Sequence, residues 1–436
     1  MARLNKATKK NVIYTHEGAK AKHINAEFQL RRSVMACLLW EDQFYEDGES
    51  IADRIAKTIP KVEPQKVADI AIEAREKMKL RHAPLLIVRE MARLPKHKVL
   101  VAKTLSRIIQ RADELTEFLA IYWKDGRQPL SAQVKKGLAW AFPKFDSYQL
   151  AKYNRKEEIK LRDVMFLSHP KPKDKEQEIV WKKLIDGKLE PPDTWEVALS
   201  TGKDKKETWE RLLRENKLGA LALLRNLRNF QRDGVNEDLV IKGLDKMNVS
   251  RVLPFRFIAA ARHAPQWENY IEEAMMKCIK EKEKFPGTTM LLVDVSGSMQ
   301  ARLSGKSDMN RIDVACGLGV ILKELCEKVM IFSFSDYVKT IPPRKGFALR
   351  DAIYNSQEHM GTYLGEAIKK VNKYKYDRLI VITDEQSHDV VPNPNGRGYM
   401  INVASYQNGV GYGAWLHIDG WSEAIIDYIR EYEKLE

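Results

Sequence analysis

The hydrophobic pattern of this chain changes period once, near "KFPGTT" at residues 284–289, and that change limits the folds open to it. From residue 26 to about 284 the apolar residues recur at helical spacing. In "EPQKVADIAIEAREKMKL" Val67, Ile70, Ala71, Ala74 and Met78 share one helical face, and Pro64 suits a first turn. "HAPLLIVREMARL", "VLVAKTLSRIIQRADELTEFLAIYW" and "ETWERLLRENKLGALALLRNLRNF" continue in the same way, without β-branched alternation. Many short amphipathic helices in series fit an α-solenoid of degenerate helix pairs, with a compact bundle as the alternative. After Gly287, short apolar runs alternate with helical segments. Strands are predicted at Met290–Val295, Val329–Phe334, Leu379–Thr383, Tyr399–Val403 and Trp415–Ile418, with helices around Ile312–Glu327, Tyr363–Asn372 and Ser422–Tyr432. That alternation predicts a doubly wound α/β domain with a mainly parallel sheet, which binds ligands at the carboxyl ends of its strands.

The first of those strands runs into "MLLVDVSGSMQ". A carboxylate at the end of a buried strand is costly unless something pairs with it. Asp294, Ser296 and Ser298 can place one carboxylate and two hydroxyls around a common point, and Gly297 gives the loop backbone latitude. Oxygen-only donors suit a hard divalent cation, Mg²⁺ or Mn²⁺. Two further strand-to-helix loops offer Thr362, in "HMGTYLGEAI", and Asp384, in "LIVITDEQS". Serines capping the next helix, with an aspartate satisfied locally, would be the plainer explanation of any one of these residues.

Charge divides the chain in the same place as period. Residues 287–436 carry 17 Lys and Arg against 19 Asp and Glu, a balance of −2; residues 1–286 carry 57 against 41, or +16. A basic part that binds a polyanion, joined to a part with other work, explains the split; a solvated basic surface is the rival explanation. Within the helical portion Lys135, Lys136, Lys144, Lys152, Arg155, Lys156, Lys160 and Arg162 interleave with Trp140, Phe142, Phe145, Tyr148 and Tyr153. Basic residues neutralise phosphates and aromatics stack on unpaired bases, although aromatics at helical spacing also build cores. At 436 residues the chain needs more than one core. No run of eighteen apolar residues exists, so no membrane span is expected. Four scattered cysteines, without C-x-x-C spacing, point to reduced thiols and an intracellular, cytoplasmic protein.

Two resemblances follow from these motifs. Asp294, Ser296, Ser298, Thr362 and Asp384 match, residue by residue, the metal-ion-dependent adhesion site of a von Willebrand factor A domain. That resemblance implies direct ligation by the serines and Thr362, aspartates acting mainly through water, and an open metal position for an acidic side chain. The phrases "LAKYNRKEEIKLRDVMFLSHPKP", "LGALALLRNLRNF" and "VLPFRFIAA", in that order, resemble the TROVE module of the Ro autoantigen family. Together they imply an all-α, HEAT-like helical-repeat (α-solenoid) ring followed by an α/β doubly wound, Rossmann-like von Willebrand factor A domain. The expected divisions are a basic segment over 1–25, the TROVE domain over 26–284 and the metal-site domain over 287–436.

The Ro resemblance further implies a non-enzymatic monomer that binds small noncoding, Y-like RNA outside the ring and single-stranded ends of misfolded RNA in its hole. Its partners would include an exoribonuclease such as polynucleotide phosphorylase and an acidic protein ligand at the metal, most simply Mg²⁺ with Mn²⁺ as the alternative. Candidate RNA contacts are Lys135, Lys136, Lys152, Arg155, Lys160, His169, Arg225 and Arg228. His169 matches the histidine of the family's L-S-H phrase; a turn histidine before Pro170 is its plainer reading. Arg225 and Arg228 could line a basic inner surface, or be solvated arginines on an amphipathic helix. No catalytic residue is expected, because no second carboxylate cluster or adjacent base accompanies the metal motif. A metal-dependent protein-binding scaffold is the alternative function.

Overall fold

The computed structural model describes residues 13–15, 18, 20–21, 25–35, 48–78, 80–154, 157–200, 204–249, 252, 255–280, 282–303, 309–404, 409–411, 413–420 and 424–435. The chain divides into two compact units. Residues 26–42, 47–282 and 422–436 form a helical unit; residues 1–25, 43–46 and 283–421 form an α/β unit.

In the helical unit α1 (Ala26–Met35), α2 (Gly48–Thr58), α3 (Pro64–Glu76), α4 (His82–Arg93), α5 (Lys98–Ile108), α6 (Asp113–Tyr122), α7 (Ala132–Ala141), α8 (Ser147–Tyr153), α9 (Leu161–Ser168) and α10 (Lys175–Ile185) form a first run. A second run holds α11 (Trp195–Ser200), α12 (Lys205–Arg214), α13 (Ala220–Arg232), α14 (Glu237–Lys246), α15 (Phe255–His263) and α16 (Glu268–Lys280). Neighbours in sequence pack on one another and on the helix after next: α3 on α4 and α5, α4 on α5 and α6, then α12 on α14 and α13 on α14 and α15. That pattern is the stacked-pair logic of a solenoid, in which each helix needs its neighbours to bury its apolar stripe. The starts are set locally. Glu63 caps α3 ahead of Pro64, Ser131 caps α7, Asp146 and Gln149 form a capping box on α8, and Asp174, Asp204 and Asn236 cap α10, α12 and α14. Each cap contributes about 1 kcal/mol.

Some of the charged residues of the helical unit are buried and structural. The Arg75 guanidinium is buried against Glu114, with Nη2–Oε1 at 2.7 Å, and donates from Nε to the Ile108 carbonyl. The other Glu114 oxygen accepts from the backbone N–H groups of Gln110 and Arg111. A single carboxylate thus ties α3, the end of α5 and the start of α6 together, and its full set of partners makes its burial tolerable.

The α/β unit begins with two short antiparallel strands, β1 (Ile13–Tyr14) and β2 (Lys20–Ala21). It continues with β3 (Phe285–Asp294), α17 (Arg311–Leu325), β4 (Cys326–Phe334), β5 (Val338–Thr340), α18 (Gly346–Tyr354), α19 (Leu364–Val371), β6 (Arg378–Thr383), β7 (Arg397–Asn402) and β8 (Trp415–Asp419). The last helix, α20 (Ala424–Leu435), belongs with the helical unit. The six sheet strands run in the order β5-β4-β3-β6-β7-β8, all parallel except the edge strand β5.

Central β3 is apolar on both faces because both are covered. Met290 and Leu292 pack with Leu364, Ala367 and Ile368 of α19, whereas Leu291 and Val293 approach Gly319 of α17. This is why the sequence shows a continuous apolar run there and not an alternating one. Strand order reverses at β3, whose neighbours β4 and β6 leave it on opposite sides, so the loops after β3 and β6 flank a topological switch point. The five predicted strands are all present. Strand β5 and helix α18 were not predicted. Among the described residues no helix separates β6 from β7 or β7 from β8, so strict alternation ends at β6. No described helix is long and apolar enough to cross a membrane.

Candidate metal centre and nucleic-acid face

All five candidate metal residues lie on loops at the carboxyl ends of β3 and β6 or at the start of α19. Asp294 closes β3, fully buried. Its Oδ1 accepts from the Ser296 backbone N–H at 2.9 Å and its Oδ2 from the Thr383 hydroxyl at 2.6 Å. The Ser296 and Ser298 hydroxyls lie 3.4 Å apart. Gly297 between them donates its N–H to the Met360 carbonyl, and a Cβ there would stand 3.1 Å from the His359 carbonyl oxygen. A larger residue at 297 would press on the Thr362 loop, which glycine avoids.

Thr362 is buried, and its carbonyl accepts from the His388 backbone N–H at 2.9 Å, tying its loop to the one after β6. Ser335, after β4, donates from its hydroxyl to the Gly361 carbonyl and accepts from the Met360 N–H. Asp384 is fully buried. Its Oδ1 accepts from the Gln386 N–H, and its Oδ2 lies 3.4 Å from Nη1 of Arg311, itself buried at the first turn of α17. Burial, and next the nearby Asp384 carboxylate, raise the Asp294 pKa above the usual carboxylate range. Two carboxylates sharing a dry site repel, and a cation between them relieves both.

Among the described residues no group of three or more His, Cys, Asp or Glu side chains is arranged to hold a metal ion, so a cation at this site would draw on hydroxyls as well. The local donor set is two carboxylates and the hydroxyls of Ser296, Ser298 and Thr362. Those oxygens fit a hard divalent cation, and the existing hydrogen bonds of both aspartates suit contact through water.

The basic candidates lie on α7, around α8 and α9, and on α13. Lys135 and Lys136 are exposed on α7, where the Lys136 ammonium lies 4.7 Å from the Trp140 ring centroid. Lys152 on α8 and Lys160, before α9, are half-buried, and the Lys152 ammonium lies 5.8 Å from the Tyr153 ring centroid. Arg155 lies outside the described residues. His169 is exposed and caps α9 in the left-handed conformation, φ 50°, which a histidine adopts at some strain. Arg225 and Arg228 are exposed on α13. Four of the five aromatics divide between core and surface, and Tyr153 is half-buried. Phe142 and Phe145 are core residues, with Phe142 edge-on to Trp181, whereas Trp140 and Tyr148 are about half exposed, at 50% and 51%.

Three further features escaped the sequence. Arg311 reaches Asp384 across 73 positions. Glu385, on the loop after β6, is fully buried with φ 61° and faces His417, which also meets Asp419. Thr15, in the basic N-terminal segment, is buried and donates to the Ser387 carbonyl, three residues beyond Asp384.

A family model described as the TROVE domain matches residues 186–311, which run from the end of α10 through the loop bearing Asp294, Ser296 and Ser298. The chain is 35% identical over 111 residues to telomerase protein component 1 of Mus musculus, spanning 24% of this chain and 4% of that protein. It is 40% identical over 79 residues to the Rattus norvegicus protein of the same name, 17% of this chain and 3% of that protein. The chain therefore spans only a small fraction of the length of these curated relatives. Among solved structures, the Ro (Rsr) protein of Deinococcus radiodurans superposes with a TM-score of 0.60 at 17% identity, covering 92% of this chain and 98% of that one. Residues 186–311 thus match the TROVE domain model, and the chain shares its fold with a Ro protein.

Proposed function

We propose that this chain is a Ro-like RNA-binding protein without catalytic activity of its own. Its helical unit would bind small noncoding RNA of the Y type and hold single-stranded ends of misfolded or defective RNA, working beside an exoribonuclease such as polynucleotide phosphorylase. The TROVE match over residues 186–311 carries this reading. The concentration of basic charge in residues 1–286 supports it, as do the exposed Lys135, Lys136, Arg225 and Arg228 and the exposed rings of Trp140 and Tyr148.

At the carboxyl end of the sheet, Ser296, Ser298 and Thr362 would hold Mg²⁺ or Mn²⁺, with Asp294 and Asp384 behind water. The ion would supply an electrophilic position for an acidic side chain of a partner protein. This chain's own residues orient the hydroxyls: Thr383 fixes Asp294, Asp294 fixes the Ser296 backbone, and Gly297 admits the Thr362 loop. Sequencing RNA that copurifies with the native protein tests the function. Enrichment of small structured RNAs and truncated ends supports it; RNA no different from the bulk pool refutes it. Labelled RNA incubated with the protein and Mg²⁺ should remain intact over hours.

A further inference from the structure

The metal-site reading leaves Arg311 unexplained. Its guanidinium is 1% exposed and its Nη1 lies 3.4 Å from Oδ2 of a fully buried Asp384. The residue is fixed from both sides. Its backbone N–H donates to the Ala301 carbonyl, and the turn that carries it is held by the Asn310–Asp313 capping box of α17. Any metal at these loops therefore binds beside a buried guanidinium.

We propose that Arg311 is a built-in counter-cation that makes metal binding conditional on an anion from a partner, so that metal and partner load together. The inference rests on the metal-site reading. Asp294 and Asp384 bring two negative charges and Arg311 one positive, so a divalent ion turns a local −1 into +1. An uncompensated charge in a dry site is unfavourable, and a carboxylate in the open coordination position cancels it. By linkage the coupling is reciprocal: an anion that tightens the metal is itself tightened by the metal.

The anion is the carboxylate of a protein side chain. The exposed residues on the surrounding loops include Tyr337, Met360 and Tyr363 together with Asp336 and Glu358. A protein partner brings apolar surface that can cover Tyr337, Met360 and Tyr363 while its carboxylate meets the metal, which a phosphate chain does not.

The test measures Mn²⁺ affinity of the full chain by electron paramagnetic resonance, in chloride and in acetate at equal ionic strength, corrected for free manganese acetate. The wild-type chain should bind Mn²⁺ about tenfold more tightly in acetate, within the usual range of coupling between sites. Arg311→Met should bind more tightly in chloride and lose the acetate dependence, while Arg311→Lys keeps it. Equal wild-type affinity in the two salts overturns the inference whether or not the methionine variant folds, as does an Arg311→Met protein with undiminished acetate dependence. Failure to bind Mn²⁺ in either salt overturns the metal-site reading itself, and this inference with it.

Discussion

Protonation of His417 is expected to control the stability of the sheet edge formed by β6, β7 and β8. The imidazole sits between two carboxylates, Nδ1 at 2.5 Å from Glu385 Oε1 and Nε2 at 2.9 Å from Asp419 Oδ1, with its side chain 7% exposed. Burial alone would lower its pKa; the Asp419 and Glu385 carboxylates outweigh it and hold the group at about 9, against 6.5 for an unperturbed histidine. A pKa raised in the folded state means stability present in full below pH 6.5 and lost as pH rises through 9. At 1.36 kcal/mol per pH unit the contribution is about 3 kcal/mol. His417→Gln leaves the two carboxylates facing a neutral amide. The variant should therefore be less stable than wild type by about 3 kcal/mol at pH 6, and the gap should nearly close above pH 9. Hydrogen exchange read on peptides covering β6 to β8, in EDTA and corrected for intrinsic rates, follows this region without assuming two-state unfolding of both units. A difference that stays constant from pH 6 to 9.5 would refute the electrostatic argument and leave only a packing role.

Two further outcomes follow from burial. In EDTA, Asp294→Asn should raise the stability of the α/β unit by roughly 1 kcal/mol, because it removes one of two like charges from a dry site, while abolishing Mn²⁺ binding; calorimetry and manganese titration check the two halves. Phe142→Ala should destabilise the helical unit by about 3–5 kcal/mol in urea unfolding, whereas Trp140→Ala should leave stability nearly unchanged and weaken single-stranded RNA by about 1–3 kcal/mol in a binding titration.

What the sequence disclosed was what chain-local physics encodes. The change from helical spacing to short apolar runs marked the α/β portion, and β3 was legible because a strand covered on both faces must be apolar throughout. β5 was missed because Val338–Thr340 is a three-residue edge strand, too short to show a period. The candidate metal residues were visible as a motif, since three of them sit within five positions on one loop. Arg311 was not, because nothing near it in sequence announces a partner 73 positions away. The Glu385–His417 contact was not legible because His417 stands on β8, brought beside the loop after β6 only by sheet order. Phe142 and Trp140 are two positions apart and look alike in sequence. Packing of Phe142 against Trp181 of α10 separates the core ring from the exposed one.

The account stands or falls on whether the helical unit binds RNA through its lysines and arginines. The decisive measurement is the affinity of the full chain for a labelled single-stranded RNA as a function of salt. About six phosphate contacts predict a slope of log K against log salt near −4, at roughly −0.7 per contact. Replacing Arg225 and Arg228 together by Gln should flatten that slope by about one to one and a half units. Adding EDTA should leave it unchanged. Binding that is insensitive to salt, or lost on chelation, would contradict the account.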